Sequence, residues 1–184
     1  MYDDILVPTD GRPGTDSAVA RGLYFARTFD ATVHALFVRD TRLDPGSLPD
    51  ENQTAVNKEL DTRGEAAISD IQEWGEDLGV NVVSELREGV PERVIREYAA
   101  ERGTDLVVMG RRARESDSSY LGSTTQRVLV RSPAPVVAVP VSDGEIPEPG
   151  YAAFDRVVIP TDGSDVAERA ATHGLTVAER YGAD

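Results

Sequence analysis

The chain has 184 residues, and its 33 acidic side chains against 19 basic ones give a formal net charge of −14. No stretch approaches the roughly 18 consecutive apolar residues of a membrane-spanning helix, and so acidic a surface disfavours nucleic acids and anionic membranes as partners. The absence of cysteine excludes disulfides, a thiolate nucleophile and cysteine-ligated zinc. The first residues lack the basic and then apolar pattern of a signal peptide, so we expect a cytoplasmic protein.

The basic residues are unusual in kind, because Lys58 is the only lysine and the other 18 are arginine. Solvated carboxylates keep a protein soluble in concentrated salt, which screens their mutual repulsion, so the composition favours a halophilic protein. A GC-rich genome, which favours arginine codons, is the alternative explanation.

Short apolar segments alternate with longer segments of helical periodicity along most of the chain. The segments predicted as strands are residues 5–8, 33–38, 80–83, 106–109 and 135–141. The segments predicted as helices are residues 16–29, 56–78, 91–103 and 124–130. Five strands separated by four helices predict an α/β fold, in which right-handed crossovers build a five-stranded parallel sheet with helices on both faces. If strands one to three build outward on one side and strands four and five on the other, the strand order is 3-2-1-4-5.

A sequence repeat follows this domain. We assign residues 1–141 to the first domain and residues 142–153, which are rich in proline and glycine, to a linker. Shifting the chain by 152 residues aligns 3–32 with 155–184, with ten identities in thirty pairs. We therefore expect residues 154–184 to begin a second, incomplete copy, as in the front of a longer tandem protein.

In that copy we predict a strand over 155–160 and a helix over 165–181. The predicted apolar side of this helix consists of Ala167, Ala170, Ala171, Leu175 and Ala178. A single strand and helix leave apolar surface uncovered, so the segment either docks weakly on the first domain, pairs with another chain or stays mobile. Asp162 is not expected to form a nucleotide site, since the copy lacks a facing glycine loop.

In open α/β sheets, ligands bind beyond the carboxyl ends of the strands where the strand order reverses. Here that crevice lies between the first and fourth strands. Asp10 after the first strand is suited to a ribose hydroxyl or a base amine, and Gly110 after the fourth lets a ligand approach the backbone. Residues 122–124 precede a helix, whose free amides suit a phosphate. Three arginines are candidates either for phosphate contact or for solvated cations on an acidic surface: Arg111, Arg112 and Arg114.

These residues resemble those of the universal stress protein family. The matching segments are 6–10, 107–110, 122–123 with 127–129, and 132–139, which end in the Ser-Pro-x-Pro-Val type of final strand. The resemblance implies a Rossmann-like protein, commonly dimeric, some of whose relatives bind ATP. Together with the crevice argument it predicts nucleotide-binding residues Pro8, Thr9, Asp10, Val38, Met109, Gly110, Arg111, Ala113, Gly122, Ser123 and Thr124.

The chain departs from the family's Gly-x2-Gly-x9-Gly-Ser loop at two points. Ala113 replaces the second glycine, and only eight residues (114–121) separate it from Gly122. Two functions therefore stay open. The first is a stress-response protein that binds an adenine nucleotide, ATP with Mg²⁺, without efficient turnover. The second is an interaction module without a nucleotide that acts through a homodimer, tandem-domain pairing or protein partners.

An enzyme is a weaker alternative. Residues 11–17 are similar to the pyrophosphate loop of ATP-cleaving enzymes, but Asp10 replaces its first serine and the spacing is too long. The order of residues supports neither a Ser-His-Asp triad nor a paired-histidine metal site, and we interpret His34 and His173 as structural. Asp10 and Gly11 also have a purely structural interpretation, as a turn.

Overall fold

The computed structural model describes residues 1–12, 14–43, 50–111, 121–140 and 154–184. The chain divides into two compact units, residues 1–146 and 147–184. The strands are β1 (Asp4–Thr9), β2 (Thr32–Asp40), β3 (Val82–Gly89), β4 (Leu106–Arg111) and β5 (Val136–Pro140). The helices are α1 (Asp16–Phe29), α2 (Asp50–Leu78), α3 (Pro91–Arg102), α4 (Ser123–Arg131) and α5 (Asp165–Tyr181), and a single 3-10 turn spans Thr41–Leu43.

The first unit contains a five-stranded sheet of order β3-β2-β1-β4-β5, which confirms the predicted α/β fold and strand order. All four strand pairings are parallel. In register, Leu6 of β1 lies opposite His34 of β2 on one side and Val107 of β4 on the other. The strand order therefore reverses between β1 and β4, where the sequence predicts a crevice.

Apolar side chains cover both faces of the sheet, as the unbroken hydrophobic runs of the central strands require. Ile5, Leu6 and Val7 of β1 are all 0% exposed. On one face α3 and α4 pack through Tyr98 and Val128, both also 0% exposed. On the other, α1 contacts β1, β4 and β5 while α2 contacts β2 and β3.

Several element boundaries in this unit differ from the prediction. The strand expected from Val80 begins at Val82, because the Val80 amide donates to Gly75 O at 2.8 Å and closes the end of α2 instead. Helix α2 also begins earlier than the predicted residue 56, at Asp50. Polar residues before 56 carry no apolar periodicity, so the pattern alone could not locate this start.

The second unit contains α5, as predicted, but residues 155–160 form no strand with any described residue, so that prediction is wrong. A strand requires a paired neighbour. Instead, the Val157 amide donates to Asp184 O at 2.8 Å and the Asp184 amide to Asp155 O at 3.1 Å. The side chain of Ile159 lies against Gly174, where an added Cβ would stand only 2.9 Å from it. The segment thus packs on its own helix.

The predicted apolar side of α5 is only partly right. Ala167, Ala171 and Ala178 are half-buried, whereas Ala170 is exposed and Leu175 is 54% exposed. One short extended segment covers too little of the helix to shield the whole stripe.

Local geometry does repeat between the two units. The Gly11 amide donates to Thr9 Oγ1 at 3.1 Å, and the Gly163 amide donates to Thr161 Oγ1 at the same distance. The tandem organisation, with its boundaries at 141 and 154, stays a prediction.

Among the helices in the described ranges, none combines the length and the apolar character needed to cross a membrane.

Candidate functional site

A cavity of about 350 Å³ lies at the carboxyl edge of the sheet in the first unit. It is bordered by the ends of β1, β2 and β4, by the first turns of α3 and α4, and by one side of α2. Parallel strands all present their carboxyl ends at this edge, so loops distant in sequence converge there. The described residues that line it are Pro8, Thr9, Asp10, Arg12, Thr15, Phe37, Val38, Arg39, Asp40, Arg42, Leu60, Arg63, Pro91, Ile95, Met109, Gly110, Gly122, Ser123, Thr124 and Thr125.

The loop after β1 is a hydrogen-bonded turn. The Arg12 amide donates to Asp10 Oδ1 at 3.2 Å, which is the side-chain turn typical of aspartate. Gly11 has φ of 64°, and a Cβ there would stand 2.9 Å from Cγ of Arg63. Glycine is therefore required for α2 to approach the loop this closely. Asp10 stays exposed at the cavity margin, with one carboxylate oxygen directed to its own turn.

The amino end of α4 forms the opposite wall. Gly122 precedes the helix with φ of 79° and ψ of 141°, a conformation open essentially to glycine alone. It supplies no side-chain cap, and the first helical turn contains no acidic residue. First-turn amides have no acceptor inside a helix, so this end favours an anion. Thr125 Oγ1 donates to Gly110 O at 2.8 Å and ties α4 to the end of β4.

Arginine–carboxylate pairs surround the cavity on the β2 side. Arg42 holds Asp40 with two parallel bonds, from Nε to Oδ1 at 2.9 Å and from Nη2 to Oδ2 at 2.8 Å. The hydrogen bonds from Arg42 hold the pKa of Asp40 below its usual value, against the opposing effect of burial. Arg63 pairs with Glu59 at 2.9 Å, and Arg39 pairs with two further carboxylates.

The structure brings together nine of the eleven predicted nucleotide-binding residues. Those lining the cavity are Pro8, Thr9, Asp10, Val38, Met109, Gly110, Gly122, Ser123 and Thr124. Arg111 ends β4 but is not among the described lining residues. Ala113, together with Arg112 and Arg114, lies outside the described residues.

Sequence reasoning missed four arginines that do line the cavity: Arg12, Arg39, Arg42 and Arg63. Arg39 follows Val38 directly and Arg42 lies four residues after it, so the family pattern that places Val38 at the site is also a signal for these two arginines. Arg63 projects from the middle of α2, and only the packing of that helix on Gly11 brings it there. No local pattern in the sequence marks it.

His34 is held inside the fold, as predicted. It is 7% exposed, with Nδ1 3.0 Å from the Tyr98 hydroxyl and Nε2 2.8 Å from Asp4 Oδ1. Within the described ranges, no three histidine, aspartate or glutamate side chains form a group that could hold a metal ion.

Comparisons with known proteins agree with this architecture. Residues 1–140 match the model of the universal stress protein family. A universal stress protein of Methanocaldococcus jannaschii is 31% identical over 140 residues, which cover 76% of this chain and 82% of that protein.

Solved structures show the same fold. A universal stress protein from Archaeoglobus fulgidus superposes with a TM-score of 0.76 at 21% identity, over 100% of this chain and 65% of that one. A universal stress protein in complex with cAMP has a TM-score of 0.60 at 21% identity, over 77% and 99% of the two chains. A separately solved universal stress protein from Archaeoglobus fulgidus, in complex with dAMP, has a TM-score of 0.51 at 21% identity, over 74% and 97% of the two chains. By the family match over residues 1–140 and the relative at 31% identity, this chain belongs to the universal stress protein family.

Proposed function

We propose that this protein binds an adenine nucleotide, ATP with Mg²⁺, in the cavity at the carboxyl edge of the sheet. The observation that carries the proposal is the convergence of β1, β2, β4 and the amino end of α4 on one cavity of about 350 Å³. Two relatives of the same fold were solved with cAMP and with dAMP, which supports an adenine nucleotide as the ligand class.

The walls of the cavity suit the parts of such a ligand. Half-buried and buried apolar side chains, including Val38 and Met109, suit the base, and Asp10 is an acceptor for a ribose hydroxyl. The uncapped first turn of α4 suits the phosphates. Because no carboxylate or imidazole cluster is present among the described residues, Mg²⁺ would enter on the phosphate oxygens.

We expect binding without efficient turnover. The acidic residues among the described lining residues are Asp10 and Asp40. Arg42 occupies both oxygens of Asp40 and lowers its pKa, which makes it a weak general base. Asp10 accepts the amide of its own turn and is proposed to hold the ribose, so it has no assigned role at the phosphates.

The test is calorimetric titration of the full chain with ATP and Mg²⁺ in molar salt, followed by analysis of the nucleotide after prolonged incubation. We expect saturable heat at micromolar to millimolar ligand and unchanged ATP. No heat at millimolar ATP overturns nucleotide binding and favours the interaction module without nucleotide, which the short loop with Ala113 would suit. Release of AMP and pyrophosphate, or of ADP and phosphate, overturns the absence of turnover.

We further propose that the protein is cytoplasmic, serves in a stress response and forms a homodimer. Apolar side chains exposed on α4 support self-association, since Val130 is 77% and Leu129 is 37% exposed. Sedimentation equilibrium at several salt concentrations tests the dimer, and a single species of about 20 kDa would contradict it.

A further inference from the structure

A chain of ion pairs crosses the margin of the cavity and joins three separate elements. Glu92, in the first turn of α3, accepts from Arg127 Nη1 of α4 at 2.7 Å. The same oxygen, Oε1, accepts from Nη1 of Arg42, in the 3-10 turn after β2, at 3.4 Å, and Oε2 lies 3.4 Å from that nitrogen without forming a hydrogen bond. Arg42 in turn holds Asp40 through two hydrogen bonds. One carboxylate thus connects the end of β2 to the helix that begins at the anion-binding wall.

Glu92 differs from the surface carboxylates of this acidic chain. Its side chain is only 14% exposed, whereas the Glu97 side chain on the same helix is 48% exposed. Glu92 Oε2 is buried without a hydrogen-bond partner among the described residues. A charge this far from water is costly unless it is paired, so removing a partner affects the elements that hold it.

The two anchors of Glu92 belong to opposite walls of the cavity. Asp40 and Arg42 line the wall that continues from Val38, where the base is proposed to lie. Arg127 lies four residues after Ser123, about one turn along α4 from the end proposed to hold phosphate. Fixing α4 relative to β2 therefore fixes the distance between the base and phosphate subsites.

We propose that Glu92 is a positioning residue of the nucleotide site, which sets the amino end of α4 against the carboxyl end of β2. This inference rests on the proposed function. Loss of the bridge should displace the amino end of α4, which is proposed to hold the phosphates. The base and ribose contacts on β1, β2 and β4 should stay in place. Ligands that carry phosphates are affected, and the nucleoside alone is not.

The test compares ATP and adenosine binding by the full chain and by Glu92→Gln, which keeps the shape of the side chain and removes its charge. We expect ATP affinity to fall about tenfold and adenosine affinity to change less than about twofold. Glu97→Gln is the matched control, since it breaks the exposed 2.7 Å Arg93–Glu97 pair of the same helix, and neither residue is among the described lining residues of the cavity. It should leave both affinities unchanged.

A second variant guards against misfolding. Arg127 is 55% exposed, so Arg127→Gln is expected to fold and to lower the ratio of ATP to adenosine affinity as Glu92→Gln does. The double variant should lose less than about twofold more ATP affinity than either single variant, because both remove the same bridge.

Equal losses for ATP and adenosine, or unchanged ATP affinity in Glu92→Gln and Arg127→Gln, overturn the positioning role while the proposed function stands. If the unsubstituted protein binds neither ligand, the proposed function itself fails and the inference fails with it.

Discussion

Asp10 and Asp162 occupy equivalent positions in the two units and form the same local turn. The Ser164 amide donates to Asp162 Oδ1 at 2.9 Å, as the Arg12 amide does to Asp10 Oδ1 at 3.2 Å. The turn is therefore a property of the Asp-Gly sequence and needs no ligand. What distinguishes Asp10 is its surroundings, because it borders the cavity formed by β1, β4 and α4.

This pair provides a controlled test of the proposed ribose contact. Replacing Asp10 by alanine removes a charged acceptor, and a hydrogen bond to a charged group contributes about 1.5–3 kcal/mol. We expect ATP affinity to fall at least about tenfold in a calorimetric titration. Asp162→Ala disrupts the same kind of turn in the second unit and should leave affinity unchanged. Asp10→Asn keeps the acceptor for the turn and removes only the charge, so it separates the two effects. If Asp10→Ala binds ATP as tightly as the unsubstituted protein does, the ribose contact is contradicted.

The packing of α1 on α2 brings two carboxylates together. Asp16 opens α1, and Asp70 faces it from α2 across a small cavity. Burial, and then repulsion by Asp70, raise the pKa of Asp16 above its ordinary value. A raised pKa means that the folded protein holds this proton more tightly than the unfolded chain, so ionised Asp16 costs stability at neutral pH.

We therefore expect Asp16→Asn to stabilise the first unit at pH 7. The group is partly solvated, so the expected gain in the free energy of unfolding is small, about 0.5 kcal/mol. The gain should shrink as pH falls through the folded pKa and vanish below about pH 3.5, where the carboxyl is protonated in both states. Urea unfolding at both pH values measures it. Glu76→Gln, at an exposed position of α2, is the control, and a gain for Asp16→Asn that persists at the lower pH contradicts electrostatic strain.

The sequence predicts correctly those elements whose own residues carry the pattern that identifies them. Strands β1 and β4 are buried on both faces, so their unbroken apolar runs identify them and place Asp10 and Gly110 at one edge. The segment 155–160 has the same apolar character but pairs with no strand in the part of the chain that the structure describes, and pairing is not encoded in the segment itself. The sequence does not predict the positions of Arg63 and Glu92 relative to the cavity, for a related reason. Their roles depend on how helices pack, which residue type and spacing alone do not specify.

The excess of acidic residues sets the net charge of the whole molecule. The described residues contain many arginine–carboxylate pairs, yet the chain has 33 acidic side chains against 19 basic ones, so the net repulsion is between carboxylates. Such repulsion acts over about 10 Å at 0.1 M salt and over about 3 Å at 1 M.

We therefore expect the melting temperature to rise between low and molar potassium chloride, measured by circular dichroism. Salt also weakens the favourable ion pairs, but the excess of acidic over basic residues makes repulsion the larger effect. A series in sucrose of matched viscosity controls for effects that are not ionic. A melting temperature that stays constant or falls with salt contradicts the halophilic interpretation and favours the genomic explanation of the arginine content.

The two compact units of the chain differ in what they contain. The first unit contains the complete five-stranded sheet and every described residue that lines the main cavity. The second unit contains α5 and an extended segment, and within α5 none of the residues is buried. A chain ending at residue 146 should therefore fold, with a melting temperature within a few degrees of the full chain and the same ATP affinity. Circular dichroism and calorimetry on both chains measure this. If the shortened chain unfolds, residues 147–184 contribute to the core of the first unit. If it folds but no longer binds ATP, those residues contribute to the nucleotide site. Either result would move the domain boundary predicted from the repeat.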